Sequence, residues 1–184
     1  LVCETEKGTI LIYCATRRAV EEVAEWLGQS HQSVSYYHAG LSDEERRLVH
    51  DDFRRGTVRI LAATNAFGMG IDKPDVRFVA HLDMPKSIEG YFQETGRAGR
   101  DDEPADAWMT YGLADVVQQR RLIEMSEADA LYKRLSGTKL DAMLGLAEAA
   151  DCRRERLLSY FGEASQPCGH CDNCADGSVE TVAP

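Results

Sequence analysis

The sequence predicts an α/β lobe built on a parallel sheet, followed by a small helical subdomain that ends in a cysteine cluster. Three observations point there. Residues 9–14, 58–64 and 76–81 are apolar runs rich in β-branched side chains, the pattern of strands buried on both faces. The segments between strands carry helical spacing or glycine-bearing turns, and strands alternating with short helices give parallel sheets with right-handed crossovers. From Leu113 onward strands give way to helical patterns and a C-x15-C-x2-C-x2-C spacing. We therefore expect a lobe over residues 1–112, a helical subdomain over 113–176 and a polar tail over 177–184.

Taken in order, the strand at 9–14 leads into a helix from Arg17 to Leu27, with Val20, Val23, Ala24 and Leu27 on one face and Thr16 as N-cap. A strand that turns at once into a helix start places backbone N–H groups and Arg17 where an anion can sit; the alternative is that Thr16 only caps and Arg17 is solvated. Residues 34–38 form a second strand. Ser42 and Glu45 make a capping box that opens a helix to about Arg55, with Leu48, Val49 and Phe53 facing inward. His38, with no acid or nucleophile beside it in sequence, reads as a structural loop residue. The third strand, 58–64, runs into Asn65-Ala66-Phe67-Gly68-Met69-Gly70-Ile71-Asp72-Lys73-Pro74. Gly68 and Gly70 allow close approach of backbone to a ligand, Phe67 and Met69 read as packing residues, and Asp72 by itself reads as a turn residue. Residues 76–81 make a fourth strand, 87–95 a helix and 105–111 another strand, for five or six strands in all. Helices follow at 115–125, 128–150 and 152–161. Leu131, Leu135, Leu140, Met143, Leu144 and Leu146 are their packing residues, and Gly137 and Gly145 are candidate breaks.

The composition narrows the function classes. With 184 residues, 43% of them hydrophobic, one ordinary domain and an appendage can each bury a core. No run approaches the roughly 18 apolar residues of a membrane span. No Met opens the chain, so we expect it to be a piece of a longer protein. A net charge of −10 argues against a simple nucleic-acid binder and for weak DNA affinity in this piece alone.

Cys152, Cys168, Cys171 and Cys174 suit tetrahedral thiolate coordination of a structural Zn2+. Three of them lie too close in sequence to pair without strain as disulfides. Four thiolates leave an excess charge of −2 around the ion, which Arg153 and Arg154 would offset. His170 and Asp172 are competing ligands. A redox role for Cys168 and Cys171 is the weaker reading.

Gln93-Glu94-Thr95-Gly96-Arg97-Ala98-Gly99-Arg100-Asp101 places two arginines three apart, with small residues between them, just past a helix. Guanidinium offers the planar fork that phosphate oxygens accept. Surface ion pairs with Glu94, Asp101 and Asp102 are the plainer alternative. The segment resembles the last conserved block of superfamily 2 helicases, and of these the RecQ DNA helicases most closely. A-T-x-A-F-G-M-G-I-D-K-P (63–74), His38-Ala39-Gly40-Leu41-Ser42 and C-R-R-x-x-L-L-x-Y-F-G-E (152–163) before the cysteine cluster resemble the same family.

That resemblance implies a second RecA-like lobe with a zinc-binding subdomain. In it, Arg100 would be the arginine finger on the γ-phosphate of ATP, with Arg97 nearby. Gly70, Asp72 and Gln93 would lie on the ATP side, and Thr16, Arg17 and Thr64 would touch the DNA backbone. One departure is visible: glycine is expected after Arg100-Asp101, and this chain has Asp102. The 184 residues contain no G-x-x-x-x-G-K-[ST] and no D-E-x-H. ATP and Mg2+ therefore belong to the complete two-lobe enzyme, and the partners expected are DNA and a first RecA-like lobe in the same protein. The family further implies 3′ to 5′ polarity and an intracellular location, cytoplasmic in a bacterium and nuclear in a eukaryote. A non-catalytic zinc-containing docking module for protein or nucleic acid is the alternative from a different class.

Overall fold

A computed structural model describes residues 8–31, 33–67 and 72–177; Gly68, Met69, Gly70 and the tail from residue 178 lie outside the described residues. The chain divides into two compact units. One takes the residues up to Met84 together with Gln93–Asp115, and the other takes Pro85–Phe92 and everything from Val116 onward.

The first unit is a five-stranded parallel sheet. Its strands are β1 (Thr9–Tyr13), β2 (Val34–Tyr37), β3 (Ile60–Ala63), β4 (Val76–His81) and β5 (Asp106–Met109), in the spatial order β2-β3-β1-β4-β5. β1 is central and wholly buried, with Leu11 level with Leu61 on one side and Val79 on the other. Neighbouring side chains on a strand point to opposite faces, so each face has its own core. Ile10, Ile12, Ile60 and Phe78 pack with Val20, Ala24 and Leu27 of helix α1 (Arg17–Gly28). Leu11, Tyr13, Leu61 and Val79 pack with Phe67 and with Phe53 of helix α2 (Asp43–Arg55). Both predicted helix starts form: Thr16 Oγ1 accepts from the Ala19 N–H at 3.1 Å, and Ser42 and Glu45 close a reciprocal box.

Two expectations are corrected and one is met. Leu48 is half exposed, because the inward stripe of α2 is Val49 and Phe53 at i,i+4 and Leu48 sits about 100° away from it. β5 is shorter than predicted and mostly exposed, being an edge strand with β4 as its one neighbour. His38 is structural, as expected: its ring is buried, Nδ1 accepts the Gly40 N–H at 3.1 Å, and Nε2 therefore donates to Glu21 at 2.8 Å.

The second unit contains the first part of α3 (Ile88–Thr95), up to Phe92, most of α4 (Leu113–Met125), and all of α5 (Ala130–Ala147), α6 (Arg153–Tyr160) and α7 (Asp172–Ala175). Asp129 caps α5 by accepting the Tyr132 N–H at 2.7 Å. Lys133 donates to the Glu124 carbonyl at 2.7 Å and Arg120 meets Asp141 at 2.5 Å, tying α4 to α5. α5 runs unbroken through Gly137 and Gly145 because Leu140, Met143 and Leu146, three residues apart, are buried along it. Leu131 and Leu135 are exposed instead of packed. Nine residues turn a helix by about 180°, so Leu131 faces away from the stripe that begins at Leu140.

Candidate active site and metal centre

Residues 94–101 run beside β4 in the opposite direction and are attached to it at three places. His81 Nε2 lies 2.8 Å from Glu94 Oε2, at the carboxyl end of the strand. The Gly99 N–H donates to the Val76 carbonyl at 2.9 Å, at the amino end. Next to it Arg77 grips Asp101 with both arms of its guanidinium, Nη1 donating to Oδ1 at 2.9 Å. The fork holds the Asp101 carboxyl below its ordinary range. Arg77, Val79 and His81 share one face of β4 by strand alternation, and Ala98 rests on the core of that face.

Held this way, the two arginines differ in what they can reach. Arg97 is only 8% exposed and bonds the hydroxyl of Tyr13, whose ring stacks on His81 at 5.2 Å. Burial pushes the Tyr13 pKa up to about 12, against the opposing pull of the Arg97 charge. The Arg100 side chain is 38% exposed; its Nε donates to the Gly96 carbonyl at 3.2 Å and its Nη1 to Asp72 Oδ1 at 3.1 Å. Arg100 and Asp72, 28 residues apart, thus meet at the amino end of β4. Gln93 is exposed on the last turn of α3, and Gly70 lies outside the described residues.

The turn that carries Arg100 needs two left-handed residues. Gly99 has φ +64°, and a Cβ there would lie 2.9 Å from the Glu103 carbonyl oxygen. Asp102, where a glycine was expected, has φ 63°. Aspartate tolerates this region better than most side chains but still carries a cost. Asp102→Gly is therefore expected to stabilise the chain by about 0.5 kcal/mol, since relief of that strain slightly exceeds the added unfolded-state entropy. Urea denaturation of both forms measures it, and a lowered midpoint would contradict the turn geometry.

Thr16, Arg17 and Thr64 gather at the carboxyl ends of β1 and β3, away from the Arg100–Asp72 pair. Thr16 and Arg17 are exposed; the Ala15 N–H beside them is taken by Asp83 at 2.8 Å. An added Cβ on Gly40 would come within 3.0 Å of Arg17 Nη1, so the loop after β2 borders this guanidinium. Thr64 is buried, and its Oγ1 accepts the Ala66 N–H at 3.4 Å.

In the second unit the Sγ atoms of Cys152, Cys168, Cys171 and Cys174 all lie within 4.8 Å of one another. Bonds near 2.3 Å in a tetrahedron require edges of about 3.8 Å, so the donor set fits Zn2+ with little movement. Backbone N–H groups already point at the sulfurs: Cys168 N–H at Cys152 Sγ, 3.2 Å, and Cys171 N–H at Cys168 Sγ, 3.3 Å. Such donors stabilise thiolates. Gly169 has φ +75°, which lets the backbone turn back between the two cysteines. Four sulfurs close the shell, so the role is structural. Asp172, weighed above as a rival ligand, is taken by Arg153: Nε and Nη2 lie 2.8–3.1 Å from its oxygens, which holds its carboxyl below the usual range. Arg153 Nη1 also donates to the carbonyls of Leu146 and Ala147 at 2.8 and 2.9 Å.

Residues 1–102 match the helicase conserved C-terminal domain, and residues 113–175 match the RecQ zinc-binding domain. The chain belongs to the RecQ helicase family. It is 47% identical to the ATP-dependent DNA helicase RecQ of Haemophilus influenzae over 167 residues, covering 90% of this chain and 27% of that protein. The RecQ helicase of Pasteurella multocida is 46% identical over the same share of this chain and 26% of its own length. The chain thus spans about a quarter of these RecQ relatives. The Mycobacterium smegmatis helicase Lhr, solved bound to ssDNA and AMP-PNP, shares the fold with a TM-score of 0.52 at 19% identity, over 76% of this chain and 25% of that one. Among the described residues no helix is long and apolar enough to cross a membrane.

Sequence reasoning missed Arg77 and His81. Their trace was present: they are the two polar residues on one face of an otherwise apolar buried strand, and buried polar groups are retained only with partners.

Proposed function

We propose that this chain is the second RecA-like motor lobe and zinc subdomain of a 3′ to 5′ ATP-dependent DNA helicase, with Arg100 as its arginine finger. The observation that carries the reading is the meeting of Arg100 and Asp72 at one exposed place, two residues that the motifs put on the nucleotide side for separate reasons. The first lobe of the complete enzyme holds ATP and Mg2+. This chain adds a guanidinium to the phosphoryl oxygens as negative charge spreads over them in the transition state. Arg97, buried against Tyr13, supports the turn, and Arg100 reaches outward from it. Asp72 and Gly70 border the nucleotide near the ribose, and Gln93 is an ATP-binding candidate by its motif alone. Thr16, Arg17 and Thr64 contact DNA phosphates at the other end of the sheet, so nucleotide-driven closure moves a strand-gripping edge. Residues 1–112 form the lobe and 113–176 the zinc subdomain, a division consistent with the two family matches.

Residues 1–184 alone are expected to hydrolyse no ATP above background, with or without single-stranded DNA, while the same residues joined to their P-loop lobe hydrolyse it in a DNA-stimulated manner. Phosphate release measures both. DNA-stimulated turnover by the isolated chain would overturn the half-site reading.

A further inference from the structure

We infer that Arg77 and His81 of β4 are positioning residues for Arg100, an assignment that rests on the finger reading above. Both are polar side chains on a strand otherwise built for burial, and both are spent on the segment that bears the arginine. The His81 side chain is 2% exposed and its partner Glu94 14%, so neither would be retained there without the other. Their contact holds the segment where it leaves α3. The Arg77 fork holds it again at Asp101, one residue beyond Arg100. A two-armed guanidinium–carboxylate contact fixes direction as well as distance, which a single charge contact does not. With the Gly99–Val76 bond between them, these contacts confine Arg100 to an arc at the amino end of β4, where Asp72 also lies. Transition-state contacts of this kind are steeply sensitive to placement, and a displacement of about 1 Å costs on the order of 100-fold in rate.

The test uses the protein in which this chain is joined to its P-loop lobe. His81→Phe keeps a ring to stack on Tyr13 and removes the donor to Glu94. Arg77→Lys keeps the charge and removes one arm of the fork. Each is expected to lower kcat for DNA-stimulated ATP hydrolysis by about 10- to 100-fold while KM for ATP changes less than about twofold. His81→Gln, which restores an N–H toward Glu94, should recover most of the loss. On an Arg100→Ala background neither variant should lower kcat further, because both act through that guanidinium. Thermal unfolding of each variant counts the folded fraction. Unchanged kcat in His81→Phe and Arg77→Lys, losses that multiply with Arg100→Ala, or losses matched by the unfolded fraction would each overturn the assignment. Normal turnover in Arg100→Ala alone would instead sink the finger reading on which it rests.

Discussion

Arg100→Ala, made in a protein that unites this chain with its P-loop lobe, is expected to bind ATP with nearly unchanged affinity and to hydrolyse it about 10³–10⁵ times more slowly. That is about 4–7 kcal/mol of barrier, the range expected for a guanidinium that meets charge developing on a transferring phosphoryl group. The effect belongs in kcat because the ground-state nucleotide is held chiefly by the other lobe, so losing Arg100 removes an interaction made in the transition state. Arg100→Lys should recover little of it, since a point charge cannot reproduce a planar fork. Single-turnover hydrolysis alongside equilibrium binding of an ATP analogue separates the two quantities. Turnover within a few-fold of normal would remove Arg100 from the mechanism.

The second large effect is expected at the cysteine cluster. Native protein should carry about one zinc per chain, and stripping it with a chelator, or substituting Cys168→Ser, should unfold the second unit. Structural zinc contributes about 10–16 kcal/mol of apparent binding free energy in small metal-folded domains, more than a unit with so thin a core can replace. Helical circular dichroism should fall accordingly, because the described helices α5, α6 and α7 belong to this unit. Metal analysis and thermal unfolding of the reduced protein check it. Full helicity in a metal-free sample would show that the fold does without the ion.

The strands of the first unit were legible because parallel strands buried on both faces leave the longest apolar runs, as at residues 9–14. The cysteine cluster was legible from spacing, since ligands within one short turn must converge wherever that turn goes. Helix faces were read less well. Leu131 and Leu135 looked like core by hydrophobicity, and only the angular phase set by Leu140, Met143 and Leu146 shows them on the other side. The site was half legible. The motif put Arg100 and Asp72 on the nucleotide side, but local spacing cannot say that a side chain 28 residues away comes within 3.1 Å. Nor could it separate Arg97 from Arg100. Their difference in exposure arises from Tyr13, a residue on another strand, and from the path of the segment along β4. At position 102, where glycine was expected, aspartate itself takes the left-handed conformation.

Arg153 has a consequence for how the second unit comes apart. It stands at the first position of α6, its guanidinium closes off the last carbonyls of α5, and the same group grips Asp172 at the start of α7 beside the thiols. Helix ends ordinarily fray one by one, each with its own small opening free energy. Here three of them share one planar cation, so opening any one forfeits contacts of the other two. The region should therefore exchange its amide protons as one foldon rather than turn by turn.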